Sequence, residues 1–342
     1  MTQMPTTEIP LLPKSAIDPA RDGNLFSQVL PMLVHMLVMI TMQGCSGRHR
    51  PMTENAPIQA PKNARNFKEP TLVPRRDAVR FLWGDEESHF VADLVYGRGD
   101  RLAGLIYKLA PGESFGSSKT WRPLYDQDRY YYVVQGELTI QDPESGDVAV
   151  ARAGEAVYWR GMRFHYGYNF GTEEVFVLDW YAPQDRAANV PEIESSVKKR
   201  EVRERREGRT DLLGKWPTDA LKDLRDRYEQ GRMVTLRQDT ALQFILGEKN
   251  PVLMNIYAST EALTAGTFSL RPSVMAEVEQ HPGDEVLFAL EGCLHVYLPE
   301  TYDWFELHPL DCLYLPEGTP HRYCNNGAVM AKAAFCVAPG YR

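Results

Sequence analysis

The chain has 342 residues and a mass of 38.9 kDa; 43% of it is hydrophobic and 25% charged, with a net charge of −8 and a pI of about 5.6. That length suggests two domains or one large one, and the balance excludes a mainly disordered, collagen-like or disulfide-dense protein. An acidic chain without a basic face is not expected to bind nucleic acid by neutralising phosphates, which leaves small molecules or proteins as partners.

In chain order, the first feature is an apolar run from Phe26 to Met42, interrupted by Gln28, Pro31 and His35. Its 17 residues lie at the bottom of the range for a membrane-spanning helix. Glu8, Asp18 and Asp22 precede it, which argues against a secretory signal. Met42-Gln-Gly-Cys45 fits a lipoprotein cleavage site poorly. Residues 1–51 therefore read as an upstream extension before Met52, and no membrane partner is expected. Residues 52–78, rich in Pro, Asn and Lys, read as an extended arm.

Beyond the arm the chain repeats itself. Gly136 and Gly292, Tyr158 and Tyr314, His165 and His321, Asn169 and Asn325, and the pairs Ala182-Pro183 and Ala338-Pro339 all stand 156 residues apart. The copies span residues 79–183 and 240–342. Each is dense in β-formers broken by turn signals, as in RYYYVVQGELTI and EVLFALEGCLHVYL, so the expected fold is all-β, a sandwich or barrel in each copy. Between them, residues 184–239 hold a charge run (Ser195 to Thr210) and a short helix expected over Thr218–Arg232, with Gly231 near its end.

The chemistry concentrates in the second copy. Glu279, His281 and Glu285 fall in EQHPGDE, and His321 follows in PEGTPHRYCN. Positions 279 and 281 share a face on a strand, and the Pro-Gly turn can return Glu285 to the same cavity. Two imidazoles and one carboxylate with open positions form the ligand set of non-haem Fe(II) oxygenases; Glu279 is expected as a fourth ligand or an orienting group. Subtracting the offset gives Pro123, Tyr125, Arg129 and His165 in the first copy, where a cation replaces the carboxylate and no divalent ion should bind. That barrel is expected to be a scaffold filled by Tyr130, Tyr131, Tyr132, Trp159 and Phe164, the sharper alternative being an organic-anion site on Arg129, Arg160 or Arg163. His89, His295 and His308 lack partners at ligand spacing and read as structural or surface residues; His35 and His49 lie in the extension. The cysteines, Cys45, Cys293, Cys312, Cys324 and Cys336, are odd in number and lack a CxxC pair. They read as reduced thiols of a cytoplasmic protein.

The second copy resembles the cupins. Pro316, Gly318, His321 and Asn325 meet the second cupin motif in full, and Glu279-x-His281-x(3)-Glu285 followed by Gly292 follows the first, with Glu279 where its first His stands. The resemblance extends to both copies and implies two tandem double-stranded β-helix (jelly-roll) barrels, the C-terminal one metal-binding. In layout the chain is similar to bicupin ring-cleaving dioxygenases, and to the large subunit of two-component hydroquinone dioxygenases. This implies Fe(II), a phenolic or enolic substrate, a homodimer and a smaller partner subunit. The alternatives are a redox-neutral isomerase, epimerase or decarboxylase of a sugar or small acid using Mn(II), Zn(II) or Ni(II), with Glu279 or Glu285 as proton carrier, and a non-enzymatic ligand-binding cupin. Phe268, Met275, Phe288, Tyr314, Tyr323 and Phe335 are the candidate pocket lining.

Overall fold

Two strands in each repeat are apolar at successive rather than alternate positions: Asp128–Gln135 and Val175–Ala182 in the first, Asp284–Glu291 and Ala331–Ala338 in the second. Such runs suit strands buried on both faces. In the structure, a computed structural model describing residues 65–161, 163–182, 187–189 and 231–341, these strands lie at the centres of two seven-stranded sheets. Each is completed by a four-stranded sheet to form one all-β jelly-roll barrel. The expected linker helix and the apolar run from Phe26 lie outside the described residues. Among the described residues no helix is long and apolar enough to cross a membrane.

The first large sheet runs Val234–Leu236, Ala156–Trp159, Asp128–Gln135, Val175–Ala182, Ala103–Leu109, Val91–Arg98, Val79–Trp83. The second runs Thr71–Val73, Cys312–Leu315, Asp284–Glu291, Ala331–Ala338, Thr264–Leu270, Val252–Ser259, Leu242–Leu246. The two lead strands are exchanged. Thr71–Val73 precedes the first barrel but pairs antiparallel with Cys312–Leu315 of the second, while Val234–Leu236 precedes the second and pairs with Ala156–Trp159 of the first. Each barrel thus covers one edge of the other's sheet, a protection that lone edges require. Asp311 reinforces the crossing, its carboxylate accepting from the Arg75 amide at 2.8 Å. The arm's strand Thr71–Val73 thus shields an edge within its own chain.

The large sheets also pack face to face. Tyr130, Tyr132, Leu178 and Trp180 of the first meet Val286, Phe288, Tyr314 and Cys336 of the second in one buried cluster. Trp180 lies edge-on to Phe288 at 5.4 Å and donates its indole N–H to the Val286 carbonyl at 3.1 Å. Alternation along each strand sends the other residues inward: Tyr131 and Val133 into the first barrel, Leu287 and Ala289 into the second. Of the tyrosines expected to fill the first barrel, Tyr130 and Tyr132 therefore belong to the joint between barrels. Phe288 and Tyr314 join them there and line no pocket of the second barrel, and Met275 is exposed.

The repeated glycine closes the turn after each central strand. Gly136 has φ +79° and Gly292 φ +68°, the left-handed region. A Cβ on Gly292 would also stand 2.3 Å from the Met330 carbonyl oxygen. Gly292→Ala is expected to lower stability by about 2 kcal/mol or more, read as a fall in the urea midpoint without a change in slope.

Candidate metal centre

Three of the four candidate residues are brought together inside the C-terminal barrel. Glu285 enters from the strand Asp284–Glu291, paired with Leu315 on one side and Val337 on the other. His321 opens the strand Arg322–Asn325, after a turn in which Gly318 donates its amide to the His281 carbonyl at 2.8 Å. A two-bond antiparallel bridge between Glu279 and His321 ties the two motif segments together. Asn325, the last residue of the second motif, is fully buried; its side-chain amide donates to the Leu270 and Val329 carbonyls at 3.0 and 2.8 Å, and its oxygen accepts from Gly327. This motif residue fixes the loop behind the site rather than entering it.

The donors converge. His321 Nε2 is 3.3 Å and His281 Nε2 3.8 Å from Glu285 Oε2, and one ligating atom from each residue lies within 4.8 Å of the other two. All three residues are at most 4% exposed. The tautomers follow from the second nitrogens. His321 Nδ1 donates to the Thr319 carbonyl at 2.9 Å, and His281 Nδ1 donates to the Tyr341 carbonyl at 3.1 Å. Both Nε2 lone pairs then face Glu285 Oε2, which is buried and accepts no hydrogen bond. Lone pairs opposed at this range need a proton or a cation between them. Burial raises the Glu285 carboxyl to about 8, with the Tyr323 hydroxyl lowering it and Glu279 raising it; the protein alone answers the demand by protonation. Burial holds His321 down at about 4, the Thr319 carbonyl working the other way. A divalent ion satisfies all three groups at once, and two neutral imidazoles with one carboxylate suit it.

Glu279 stands at the rim of this set. Its Oε2 is 4.0 Å from His281 Nε2 and accepts from the Tyr341 hydroxyl at 2.6 Å. Sequence spacing grouped Glu279 with the ligands; in space it is not one of the three mutually close donors. Tyr323, read from the sequence only as pocket lining, donates to Glu285 Oε1 at 2.8 Å and lies 3.0 Å from His321 Nε2. It also stacks on Phe268 at 4.3 Å inside the barrel. Tyr341 escaped sequence reading altogether. It touches His281 through its carbonyl and, at 4.2 Å, its ring, and Glu279 through its hydroxyl; no motif spacing announces a residue next to the C-terminus.

The first barrel fills the same place differently. Arg129, at the position of Glu285, is buried and pairs with buried Asp179 at 2.6 Å. Its guanidinium lies 4.3 Å over Tyr125 and 4.5 Å over Tyr181. Burial, then the Arg129 charge, hold His165 down at about 3, and its Nε2 is 3.1 Å from the Tyr131 hydroxyl. The alternative of an organic-anion site does not assemble. Arg129 serves Asp179, Arg160 pairs with Glu261, and Arg163 pairs with Asp142 at 2.7 Å.

Residues 266–337 match the Cupin domain family. No curated protein is significantly similar to the chain in sequence. Among solved structures, the putative glyoxylate-induced protein of Pseudomonas aeruginosa superposes with a TM-score of 0.53 at 12% identity, over 84% of this chain and 96% of that one. Bacillus subtilis oxalate decarboxylase, described with Mn(II) centres, gives 0.52 at 12% identity over 82% and 80%. The formate complex of Lactobacillus farciminis oxalate decarboxylase gives 0.52 at 13% identity over 79% and 86%. At such identities the likeness is one of fold.

Proposed function

We propose, from the Cupin domain match over residues 266–337 and the two jelly-roll barrels in tandem, that the chain is a metal-dependent enzyme of cupin type whose reaction site lies in the C-terminal barrel. Our reading is a non-haem Fe(II) dioxygenase acting on a phenolic or enolic small molecule. It is carried by one observation: two Nε2 lone pairs converge on a buried carboxylate oxygen that accepts no hydrogen bond. Fe(II) held by His281, Glu285 and His321 would leave positions open for substrate oxygen and O2 and supply electrons between them.

The chain's own groups prepare that site. The Thr319 and Tyr341 carbonyls lock both imidazoles in the ligating tautomer. Tyr323 fixes the Glu285 carboxylate through its other oxygen. Phe268, Tyr323 and Phe335 are buried together in the aromatic core of the same barrel, surroundings that would favour an apolar, planar substrate.

A second reading, redox-neutral decarboxylation or isomerisation with Mn(II), Zn(II) or Ni(II), is favoured by Glu279. This acid stands outside the donor triad, 11% exposed and steadied by Tyr341, where a proton carrier belongs. The fold shared with oxalate decarboxylases is compatible with it.

The deciding experiment loads metal-free protein separately with Fe(II) under anaerobic conditions and with Mn(II). O2 consumption is then followed with a panel of diphenols, and CO2 release with small dicarboxylates. O2 uptake that requires Fe(II) supports the first reading; CO2 release without net O2 uptake replaces it with the second. If neither metal supports turnover, ligand binding without catalysis is the remaining function. Glu279→Gln should keep its metal within about 10-fold in affinity, since it acts at most through neighbours of the ion. Its turnover should hold under the first reading and fall under the second.

We also propose a homodimer. Leu242 and Ile245 are exposed on the outermost strand of the second large sheet, and Leu253 is exposed on the strand beside it, an apolar edge of the kind that self-association covers. A light-scattering mass equal to one chain removes this assembly.

A further inference from the structure

The hairpin of Leu294–Tyr297 and Trp304–Leu307 pairs Leu294 with Leu307 and His295 with Glu306. Leu294, Val296 and Leu307 point into the barrel. Cys293, His295, Glu306 and His308 therefore share the opposite face, two from each side of the hairpin. The Glu306 carboxylate sits between two imidazoles, 3.1 Å from His308 Nε2 and 3.5 Å from His295 Nε2. Cys293 Sγ is 3.8 Å from His295 Nε2. One donor atom each from Cys293, Glu306 and His308 fits within 4.8 Å. His295 is 7% exposed, lies beside the Trp304 ring at 5.0 Å, and has a buried Nδ1 without a hydrogen-bond partner.

The fold does not demand these residues. The matching hairpin of the first barrel pairs Glu137 with Arg152 and Thr139 with Val150, and its outer face is closed by an Arg152–Glu137 ion pair at 2.7 Å. In the second barrel a thiol, two imidazoles and a carboxylate occupy that face, with no cation among them.

We infer that this hairpin carries a second metal site, in which Cys293, Glu306 and His308 bind a borderline-soft divalent ion of the Zn(II) type and His295 backs the thiolate. Sulfur, nitrogen and carboxylate oxygen are the donors that Zn(II) accepts, and the thiolate selects it over Mg(II) or Ca(II). On binding, the Cys293 thiol gives its proton to solvent and the sulfur takes the ion. The site clamps the two strands together at the surface, independently of any ion inside the barrel.

Sulfur makes the two sites separable. Metal-free full-length protein is titrated with Co(II) as the probe for Zn(II). Thiolate-bound Co(II) gives a near-ultraviolet charge-transfer band that an imidazole and carboxylate site lacks. The expected result is a band that saturates at one equivalent per chain and is displaced by Zn(II). It should disappear in Cys293→Ser, persist in Glu285→Gln, and need roughly 10–100-fold more Co(II) in His295→Ala. Absence of the band overturns the site. So does a band that survives Cys293→Ser, which would come from another cysteine. A band untouched by both His308→Ala and Glu306→Gln also overturns it, since the thiolate would then bind alone.

Discussion

Metal-free Glu285→Gln should be more stable than the metal-free wild type at pH 8, by up to about 5 kcal/mol, and the difference should vanish as the pH falls toward 4.5. The Glu285 carboxyl is raised by burial from 4.5 to about 8. Between those values the folded protein retains a proton that the unfolded chain has released. Its contribution is therefore complete below about 4.5 and is lost as the pH rises through about 8, at roughly 1.4 kcal/mol per unit. Glutamine has nothing to ionise, and its carbonyl can still accept from Tyr323, so the variant lacks this decline. His321, held at about 4, has the opposite slope, losing stability as the pH falls below the ordinary imidazole value. It is common to both proteins and cancels in the difference. Metal reverses the ranking. The wild type needs a charged carboxylate as ligand, and the variant, having lost it, should lose metal affinity by more than the roughly 10–100-fold typical of hydrogen-bonded neighbours of a site. Urea unfolding across this pH range, with and without metal, tests both halves. Parallel wild-type and variant profiles in the metal-free state would mean that Glu285 does not carry the proton that stands in for the ion.

What the sequence announced about this site was local. Pro316, Gly318, His321 and Asn325 belong to one turn and one strand, and Gly136 and Gly292 need a conformation that few other residues accept. Those constraints preserve spacing, so the 156-residue offset holds to within one residue for strands from Asp128 and Asp284 onward. Earlier strands have drifted: Ser114 and Val274 begin strands 160 apart, Val79 and Leu242 163 apart. Features made by pairing distant segments were not legible. The exchanged strands Thr71–Val73 and Val234–Leu236 have three residues each, too few for any periodicity, and the first finds its partner some 240 positions away. Continuous apolar runs signal burial on both faces but not which face is inside, so the sequence alone does not tell that Tyr130, Phe288 and Tyr314 build the joint between barrels rather than fill a barrel interior. His295 and His308 looked isolated because Glu306 and Cys293 reach them only through hairpin register. Glu279, expected as a fourth ligand or an orienting group, stands 4.0 Å from His281 Nε2 and accepts from Tyr341, a partner that proximity in sequence does not announce.

The first barrel should prove to depend on Arg129 for its stability. Arg129→Ala is expected to cost about 3–5 kcal/mol, because it strands buried acids without the cation that faces them in the barrel interior. Asp179 is raised by burial to about 6 even with Arg129 beside it, and Asp93, buried nearby, is raised by burial and by Asp179 while Arg129 lowers it. Without the guanidinium both must take up protons on folding, so the variant should recover part of its stability in acid. Arg129→Met with Asp179→Leu removes the charge and its counter-charge together. Apolar replacement of a buried pair is often neutral or stabilising, so the double variant should be more stable than Arg129→Ala by about 2 kcal/mol or more. Bound metal in the other barrel should be unchanged in both variants, which separates loss of this pair from general unfolding. Equal stability of the single and double variants, measured by urea unfolding at pH 7, would refute the pairing. The contrast between the barrels is then one of charge supply. In the second, three buried donors face one another and call for a proton or a cation between them; in the first, a covalently attached cation stands at the position of Glu285, and no such donor set is found there among the described residues.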